Sequence, residues 1–475
     1  MRIGVIGTGV VGTLIARELC RYDIEVHLFE READVSCGVS KANSGVVHGC
    51  FHEQPGTTRA QLCVAGNSLY EPLSRELDFP FQRIGAHVIA FSRADEETLE
   101  QLRAQGEEIG VPDLEIIDRD ELLAREPRVS PGARAALWAP TVGIVDPWDI
   151  AIAAVENARD NGLHLHLQTE VTRIKVHTGR VHGVVTTGGE FQLDAVVNAA
   201  GLFADRVTQM AGLEPLAIHP RRGEYILLDK EERQSARSVL FPTPTPTSKG
   251  ILVLPTIDGN TLLGPTALDL PNLDERATTT SVDGLKQVIA GARKLVPSLD
   301  LGLTIKTFAG VRPEPEGGEF VIGATDVRGF YQAAGMCSPG LTAAPAVANH
   351  LVREIASDLG LTPNSTFNPL RRAIPRFSEL TADDRDALIR KDRRYGRIVC
   401  RCNEVTEGEI VEAIRRGART IDGIKFRTHA GFGRCQGGFC TARIIAILSR
   451  ELKIPPEAVT VRRSDDRIVV GKVRP

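Results

Sequence analysis

Four cysteines near the end of the chain have the type and spacing of metal ligands. Cys400 and Cys402 form a CxC pair directly after the apolar run RIV, and Cys435 and Cys440 bound the sequence CQGGFC, with 32 residues between the two pairs. Thiolates in two clustered pairs are the ligand set of a zinc ion or of an iron–sulfur cluster. Gaps of one and four residues favour a cluster, although spacing alone leaves both metals open.

A second chemical signal lies at the start of the chain, where the apolar run RIGVI leads into GTGVVG and the run EVHLF leads to Glu30. The pattern predicts a strand, a glycine turn, a helix, a second strand and an acid, which is typical of a dinucleotide site. Gly7 permits the tight turn, Gly9 lets the backbone approach a pyrophosphate, and Gly12 lets the helix pack close to the strand. The helix then directs its positive N-terminal end at the phosphates, and Glu30 can accept hydrogen bonds from a ribose.

Later glycine-bearing segments favour FAD over a nicotinamide cofactor. They are the loop SCGVSKANSGVVHG, the strand and turn VVNAAGLFAD, and AAGMCSPGLTAAPAVANHLV, in which Ser338, Pro339 and Gly340 lead into a helix. A helix N-terminus at that place can stabilise negative charge on a reduced flavin ring. Each of the two later turns alone is also compatible with an ordinary strand-to-helix turn, but three such turns facing one long ligand favour FAD.

The segments between these motifs must position them. Residues 80–140 and 215–320 carry alternating runs such as HVIAFS, GEYILLD, GILVLPT and NTLLGPT, which predict an antiparallel sheet, with helices at DEETLEQLRAQGEEIG and SVDGLKQVIAGARKLV. Residues 361–397 are rich in proline and charge and suit a connector with one short helix. A discontinuous domain packed over the flavin is the natural place for a substrate.

We therefore expect an α/β fold made of a Rossmann-like FAD-binding domain, an inserted antiparallel-sheet substrate domain and a small α-rich C-terminal iron–sulfur domain. The expected boundaries are residues 1–80, 141–214 and 321–360 for the FAD-binding domain, 81–140 and 215–320 for the substrate domain, 361–397 for the linker and 398–475 for the cluster domain.

Composition narrows the function classes. The 475 residues are 42% hydrophobic and 25% charged, which is ordinary globular composition, and a net charge of −4 gives no reason to expect a nucleic-acid partner. We find no apolar run of the ~20 residues that a membrane-spanning helix needs, so we expect a soluble, cytoplasmic protein. From residue 396 onward, 16 Lys and Arg residues stand against 9 Asp and Glu. This positive charge would raise the potential of a cluster, attract an acidic partner, or be only a solvated surface.

The other five cysteines are too few and too scattered for a disulfide scaffold. We expect them to be small buried apolar residues rather than ligands. They are Cys20, Cys37, Cys50, Cys63 and Cys337.

Taken in order, GTGVVG, Glu30, KANSGVVHG, NAAG, FAGVRPEPEGGEFVIG and GMCSPGLTAAPA resemble the FAD-dependent amine and hydroxy-acid oxidoreductases related to D-amino-acid oxidase, over roughly residues 1–360. Within that family the chain is most similar to glycerol-3-phosphate dehydrogenases and L-2-hydroxyglutarate dehydrogenases. Residues 398–455 resemble the bacterioferritin-associated-ferredoxin-like domain, which binds a [2Fe-2S] cluster, in the form found at the C-terminus of anaerobic glycerol-3-phosphate dehydrogenases.

The motifs and the resemblance together imply FAD and a [2Fe-2S] cluster as cofactors, with Cys400, Cys402, Cys435 and Cys440 as the cluster ligands. The residues expected to contact FAD are Gly7, Gly9, Gly12, Glu30, Arg31, Lys41, Asn43, Ser44, Gly45, Val171, Ala200, Gly201, Asp205, Gly340, Leu341 and Thr342.

Four residues are expected at the substrate. Arg312, in AGVRPEPE, is the best anion clamp because a guanidinium fork suits phosphate or carboxylate, and the resemblance places a substrate arginine at this motif. A salt bridge to Glu314 or Glu316 is the alternative for Arg312, and Arg222 is a second, weaker clamp. His48 is the favoured base, since imidazole titrates near neutral pH, although a loop histidine can equally bind backbone or flavin. Tyr225 would orient the substrate, and three further candidates are unranked: His52, His219 and Lys249.

These residues predict a dehydrogenase, because a flavin that passes electrons directly to oxygen has no need of a cluster. The first choice is oxidation of sn-glycerol 3-phosphate to dihydroxyacetone phosphate, and the runner-up is oxidation of L-2-hydroxyglutarate, since ANSGVVHGCFHEQPGTTRAQLCVAGN resembles that branch at least as much. A flavin and cluster subunit for electron transfer without substrate oxidation is the alternative of another class. By resemblance, the electrons would pass to a partner subunit and a membrane quinone, placing the chain at the inner face of the cell membrane.

Overall fold

The computed structural model describes residues 1–232, 235–245, 248–273, 277–463 and 465–471. Its strands, in chain order, are β1 (Arg2–Ile6), β2 (Glu25–Phe29), β3 (Val46–Val47), β4 (Phe81–Arg83), β5 (Ala86–Ala90), β6 (Glu115–Asp118), β7 (Ala135–Ala139), β8 (Gly143–Val145), β9 (His164–His166), β10 (Val171–His177), β11 (Arg180–Thr186), β12 (Gly189–Gln192), β13 (Ala195–Asn198), β14 (Ile218–Leu228), β15 (Val239–Pro242), β16 (Leu252–Pro255), β17 (Thr261–Gly264), β18 (Leu268–Asp269), β19 (Thr304–Pro315), β20 (Val321–Ala324), β21 (Phe330–Ala334), β22 (Ile398–Cys400) and β23 (Val405–Thr406).

The helices are α1 (Val10–Leu19), α2 (Thr58–Leu77), α3 (Arg93–Glu108), α4 (Arg119–Arg125), α5 (Pro147–Asp160), α6 (Ala204–Met210), α7 (Val282–Leu295), α8 (Gly340–Leu359), α9 (Ala382–Lys391), α10 (Glu407–Arg415), α11 (Ile421–Thr428) and α12 (Thr441–Leu452). None of the described helices is both long and apolar enough to cross a membrane.

A six-stranded sheet in the order β20-β21-β13-β1-β2-β9 forms the first layer. All its pairs are parallel except β20 with β21. Helices α1, α2, α5 and α8 pack together beside it, which buries β1 and β2 as a parallel sheet requires. Ile6 is in register with Phe29 and Asn198, so the turns after β1, β2 and β13 meet at one edge. In such sheets a ligand binds outside the carboxyl ends of the strands.

A second, nine-stranded sheet carries the strands of residues 86–139 and 218–315. Its longest members, β14 and β19, pair antiparallel from Ile218 with Pro315 to Leu228 with Thr304. The pairs are antiparallel as predicted, except that β5 and β15 are parallel. These two strands come from separate stretches of the chain, so no hairpin fixes their direction.

The end of the chain forms a small unit of the hairpin β22–β23 and helices α10, α11 and α12 around its own apolar core. The α/β class with an α-rich C-terminal unit is therefore confirmed. The connector contains one short α-helix, α9, and the boundaries given above for the domains remain predictions.

Ion pairs join the C-terminal unit to the rest of the chain, and one of them is buried. The Arg427 guanidinium makes two hydrogen bonds to the Asp34 carboxylate, of 2.5 and 2.7 Å, and both side chains are less than a tenth exposed. Arg416 contacts Glu156 at 3.1 Å, and Arg434 contacts Asp229 at 3.2 Å. The unit is thus held against both larger layers.

One expectation about the cysteines is wrong. Cys50 and Cys63 are not isolated but form a disulfide between the loop after β3 and helix α2. The helix turns the chain back so that two cysteines 13 residues apart come together, which spacing alone did not indicate. Cys20 and Cys337 are buried free thiols, as expected, whereas Cys37 is half-buried.

We expect the Arg427→Ala substitution to lower the free energy of unfolding by about 3–5 kcal/mol, because it leaves the buried Asp34 carboxylate without a counter-charge. Urea unfolding of the wild type and the variant measures this cost. The Asp34→Ala/Arg427→Ala double variant is the control and should recover part of it. A single-variant cost below ~1 kcal/mol, the value of an exposed pair, would contradict the prediction.

Candidate functional site

A cavity of about 1470 Å³ runs from the edge of the first sheet to the face of the second. Its walls include the turns after β1, β2 and β13, the loop 37–46, residues of β14 and β19, and the start of α8. Loop residues Asn403, Phe432 and Arg462 of the C-terminal unit complete the wall. The cavity is therefore enclosed by all three parts of the chain.

The end of the cavity at the first sheet fits a dinucleotide. Gly7 has φ +103°, and a Cβ at Gly12 would overlap the carbonyl oxygen of Gly7, so both positions need glycine. Glu30 lies at the end of β2, where its carboxylate accepts a hydrogen bond from the Thr8 backbone N–H at 3.2 Å. The Lys41 ammonium is buried at the wall without a hydrogen-bond partner, and an anionic cofactor would supply one.

The structure brings most of the predicted FAD residues to this cavity. Those that line it are Gly7, Gly9, Glu30, Arg31, Lys41, Asn43, Ser44, Gly45, Val171, Ala200, Gly201, Gly340 and Leu341. Gly12, Asp205 and Thr342 do not line it. Gly12 acts through the packing of α1, and the Thr342 hydroxyl accepts a hydrogen bond from the His48 backbone N–H at 2.8 Å. For Asp205 the structure shows no contact with the cavity.

His48 lies at the far end of the cavity beside the start of α8. Its Nε2 is 3.3 Å from the Ser338 hydroxyl, and its backbone carbonyl accepts a hydrogen bond from Asn67 at 2.8 Å. Burial, together with the positive charges of Lys249 and Arg59, holds the pKa of His48 well below its ordinary value. The imidazole is therefore neutral at pH 7 and has a nitrogen free to accept a proton.

Two cations and one carboxylate surround His48. Lys249 and Arg59 both contact the buried Glu53 carboxylate, at 3.1 and 2.7 Å. Burial and the Lys249 charge also lower the pKa of His52, whose Nε2 is buried without a partner. Because two positive charges face a single negative one, this end of the cavity has net positive charge and favours an anionic ligand.

Arg312 and Tyr225 reach the same cavity from the paired strands β19 and β14. Arg312 donates to the Thr266 carbonyl at 3.0 Å, and its Nε is buried without a partner. Neither Glu314 nor Glu316 makes an ion pair with Arg312 in the described part of the chain, and Glu314 contacts Arg221 instead. The Tyr225 ring stacks on Phe308, with centroids 4.7 Å apart. No described carboxylate therefore pairs with Arg312, which suits an anion clamp.

The expectation for Arg222 needs correction. Side chains alternate along β14, so Arg221 and Tyr225 line the cavity whereas Arg222 lies on the opposite face. There its NH2 contacts the Glu224 carboxylate at 2.9 Å. His219 is exposed and also lies outside the cavity lining.

The four cysteines of the C-terminal unit come together as two pairs of sulfurs. The Sγ atoms of Cys402 and Cys435 are 3.6 Å apart, close to the ~3.8 Å that separates two ligands of a tetrahedral ion with ~2.3 Å bonds. A hydrogen bond from the Cys440 thiol, with help from the backbone N–H groups of residues 431, 403 and 402, lowers the pKa of Cys400 to about 5. The same hydrogen bond raises the pKa of Cys440, whose proton a bound metal would displace. Four sulfurs in two neighbouring pairs fit the ligand set of a cluster.

The C-terminal unit meets the cavity through an aromatic contact. The Trp148 ring at the start of α5 stacks on Phe432, with centroids 5.4 Å apart and planes 14° from parallel, and Phe426 packs on both rings. All three side chains line the cavity. Phe432 lies three residues before Cys435, so this contact joins the cofactor cavity to the cluster loop.

A buried charged network lies beside this aromatic contact. The His429 imidazole is 2.7 Å from the Asp258 carboxylate and 3.4 Å from that of Asp146, and Arg376 contacts Asp258 at 3.4 Å. Although burial alone would lower it, the Asp258 charge raises the pKa of His429 to about 9. Burial and the same charge raise the pKa of Asp146. The three donors are close enough to hold a metal ion, but the His429 proton and Arg376 already supply positive charge.

Comparison with known proteins shows the protein family to which the chain belongs. Residues 2–354 match the family described as FAD dependent oxidoreductase, and residues 398–450 match the BFD-like [2Fe-2S] binding domain. The chain belongs to the FAD-dependent oxidoreductase family and carries this cluster-binding domain at its C-terminal end. FAD and a [2Fe-2S] cluster are its cofactors, as predicted.

Within this family, the chain is similar to enzymes that are named for glycerol 3-phosphate or for L-2-hydroxyglutarate. The chain is 42% identical over 479 residues to a glycerol 3-phosphate dehydrogenase of Caloramator mitchellensis, covering 99% of this chain and 98% of that protein. Its fold matches the FAD-bound L-alpha-glycerophosphate oxidase of Mycoplasma pneumoniae with a TM-score of 0.73 and 31% identity, over 78% of this chain and 98% of that one. An L-2-hydroxyglutarate dehydrogenase of Escherichia coli is 30% identical, over 56% of this chain and 63% of that protein.

Sequence reasoning missed several residues of the site. Lys249 was one of three unranked candidates, and Glu53 and Arg59 were not singled out at all. Their closeness to His48 in the sequence is the feature that could have identified them: Glu53 lies on the loop before α2 and Arg59 on the first turn of α2. The His429 network and the Trp148 contact had no local signal, because their members lie far apart in the sequence.

The His429 network predicts that stability falls at alkaline pH. A pKa of about 9 in the folded chain, above the ordinary 6.5, stabilises the fold fully below pH 6.5. That contribution, about 3 kcal/mol, is lost as the pH rises through 9. Urea unfolding between pH 6 and about 9.5 measures how the free energy of unfolding changes with pH. This pH dependence should be absent in the His429→Gln variant and present in the control His177→Gln, which changes an exposed histidine. An unchanged slope in His429→Gln would refute the assignment.

Proposed function

We propose that this chain is a dehydrogenase that oxidises sn-glycerol 3-phosphate to dihydroxyacetone phosphate and passes the electrons through its cluster to a partner protein. The observation that carries the proposal is the cavity itself, in which neutral His48 lies near Lys249 and Arg59 and whose wall also includes the Arg312 guanidinium. An anionic alcohol fits such a place. The dehydrogenase of Caloramator mitchellensis, similar along its whole length, supports the phosphate ester as that alcohol.

In this proposal the phosphate is held by Arg312 and Lys249. Arg312 could bind an anion in a two-pronged manner, because within the described residues its one hydrogen bond is to the Thr266 carbonyl. Lys249 already contacts Glu53, so it would share its charge between that carboxylate and the phosphate. Tyr225, fixed by its stack on Phe308, closes the side of the pocket.

His48 would accept the proton of the C2 hydroxyl. Burial is the main cause of its low pKa, and the charges of Lys249 and Arg59 lower the pKa further. A phosphate bound beside the two cations would offset their charges and raise the pKa of His48 by that part of the shift. The base would thus gain strength only when substrate is present. FAD, when bound, supplies the acceptor for the hydride that leaves the same carbon. Helix α8 begins at Gly340 in the cavity wall, and the positive end of its dipole would stabilise negative charge on the reduced flavin.

Electrons would leave through the C-terminal unit, whose aromatic contact with the cavity lies next to the cluster loop. A partner protein that leads to a membrane quinone would receive them, which would place the chain at the inner face of the cell membrane. The residue assignments and the domain boundaries given above are part of this proposal.

Anaerobic mixing with candidate substrates tests the proposal. We expect sn-glycerol 3-phosphate to bleach the flavin absorbance within seconds, and L-2-hydroxyglutarate to do so much more slowly or not at all. Faster bleaching by L-2-hydroxyglutarate would transfer the proposal to that substrate, which the shorter match to the Escherichia coli enzyme leaves as the second candidate. Bleaching by neither would favour an electron-transfer subunit.

We expect the His48→Gln variant to lower the rate of flavin bleaching by about 10²–10⁴-fold, the usual contribution of a general base, while FAD stays bound. Stopped-flow absorbance measures the rate, and the yellow colour of the purified variant measures the bound FAD. His219→Gln is the matched control, because His219 is exposed outside the cavity. An unchanged rate in His48→Gln would remove His48 from the mechanism.

A further inference from the structure

We propose that the outer surface of the cluster loops is the docking site for an acidic electron-acceptor protein. This surface, called the exit surface below, consists of Arg401, Cys402, Phe439 and Arg443. The inference rests on the proposed function, because it assigns the place where electrons leave the same chain.

The cluster ligands differ in exposure in a way that gives the site an outer side. Cys400 and Cys440 are each 1% exposed and belong to the core of the C-terminal unit, whereas Cys402 is exposed and Cys435 is half-buried. A group held by all four sulfurs would therefore have one pair of ligands in the core and the other at the surface. Electron transfer needs close approach, so an acceptor would bind on the Cys402 side.

Phe439 lies on this side, between Cys435 and Cys440, and its side chain is 80% exposed. Glycines precede it at 437 and 438, so nothing in its own loop covers the ring. Aromatic residues at the centre of a protein interface contribute much of its binding energy. An exposed phenylalanine next to a metal ligand is best explained by a partner that covers it.

The charged residues near Phe439 in the sequence indicate which charge the partner's surface should carry. Arg401 makes no ion pair or hydrogen bond within the described residues, and the guanidinium of Arg443 contacts only the Ile398 carbonyl, at 3.3 Å. By contrast, Arg434 is tied to Asp229 and Glu231 and so holds the loop in place rather than facing a partner. Both exposed arginines are close in sequence to cluster cysteines, and neither makes an ion pair with a carboxylate in the described residues, which favours an acidic partner surface.

A protein fits this surface better than an anionic membrane does. Clusters that bind lipid headgroups usually contain four to eight basic residues, and the exit surface has two unpaired arginines. One hydrophobic residue beside an exposed cysteine ligand instead resembles the small, charge-steered contacts of transient redox partners, which bury less than ~1,200 Å². An acidic haem protein is thus a suitable probe.

The experiment uses the holoenzyme, reduced with stoichiometric dithionite so that no substrate is needed. Cytochrome b5, which is acidic, and cytochrome c, which is basic, are the two probes, and stopped-flow absorbance follows their reduction. Biolayer interferometry measures the binding of oxidised cytochrome b5 to the holoenzyme separately. The variants are Arg401→Glu/Arg443→Glu, Phe439→Ser and a matched double charge reversal on the β10–β11 sheet, Arg173→Glu/Arg180→Glu.

We expect Arg401→Glu/Arg443→Glu to weaken cytochrome b5 binding and slow its reduction about tenfold or more, and to remove most of the salt dependence. Phe439→Ser should weaken binding while the salt dependence remains, since no charge changes. The control pair should match the wild type, and all variants should keep the cluster absorbance and normal flavin bleaching by substrate.

Equal losses in the control pair, or no loss in either exit-surface variant, would overturn the proposal. Loss of binding to phosphatidylserine vesicles in Arg401→Glu/Arg443→Glu, with cytochrome b5 unaffected, would assign the surface to a membrane instead. Failure of the proposed substrate to bleach the flavin would refute the proposed function alone, because dithionite reduction bypasses that step.

Discussion

Buried charge at the junction between the C-terminal unit and the rest of the chain is the constraint on which the other features depend. Arg427 with Asp34, and His429 with Asp258 and Asp146, are held away from water, where an unpaired charge is costly. Such pairs tolerate few alternative positions, so the unit has one place, at the wall of the cofactor cavity. This position of the C-terminal unit closes the cavity, allows Trp148 to stack on Phe432 and orients the cluster loops.

Within the cavity, electrostatics and burial act together on one imidazole. Burial, together with the charges of Lys249 and Arg59, keeps His48 neutral, and the same cations would attract an anion. If His48 is the base, such a site would discriminate against neutral alcohols both in binding and in proton transfer. Glu53 moderates this effect, because without it both cations would be uncompensated inside the fold.

The sequence predicted the features that local pattern controls. The glycine turn, Glu30 and the paired cysteines are short-range patterns, and the strands of both sheets have periodic apolar residues, so their types could be read directly. Arg222 shows the first limit: alternation along β14 separates it from Arg221, but only the observed burial says which face meets the cavity. The Cys50–Cys63 disulfide shows the second, since its partners meet through the path of the loop and α2 rather than through a recognisable spacing. The His429 network brings together side chains that are more than fifty residues apart in the sequence, and no local rule relates them.

The cavity wall formed by Asn403, Phe426 and Phe432 has a consequence for biogenesis. A ribosome releases the N-terminal sheet first, so the nascent chain presents an open cleft to free FAD until the last eighty residues have emerged. Once those residues fold around their iron and dock, the entrance narrows. Flavin loading would then precede cluster assembly, and a chain whose C-terminal unit lacks iron would exchange its FAD with free FAD more readily.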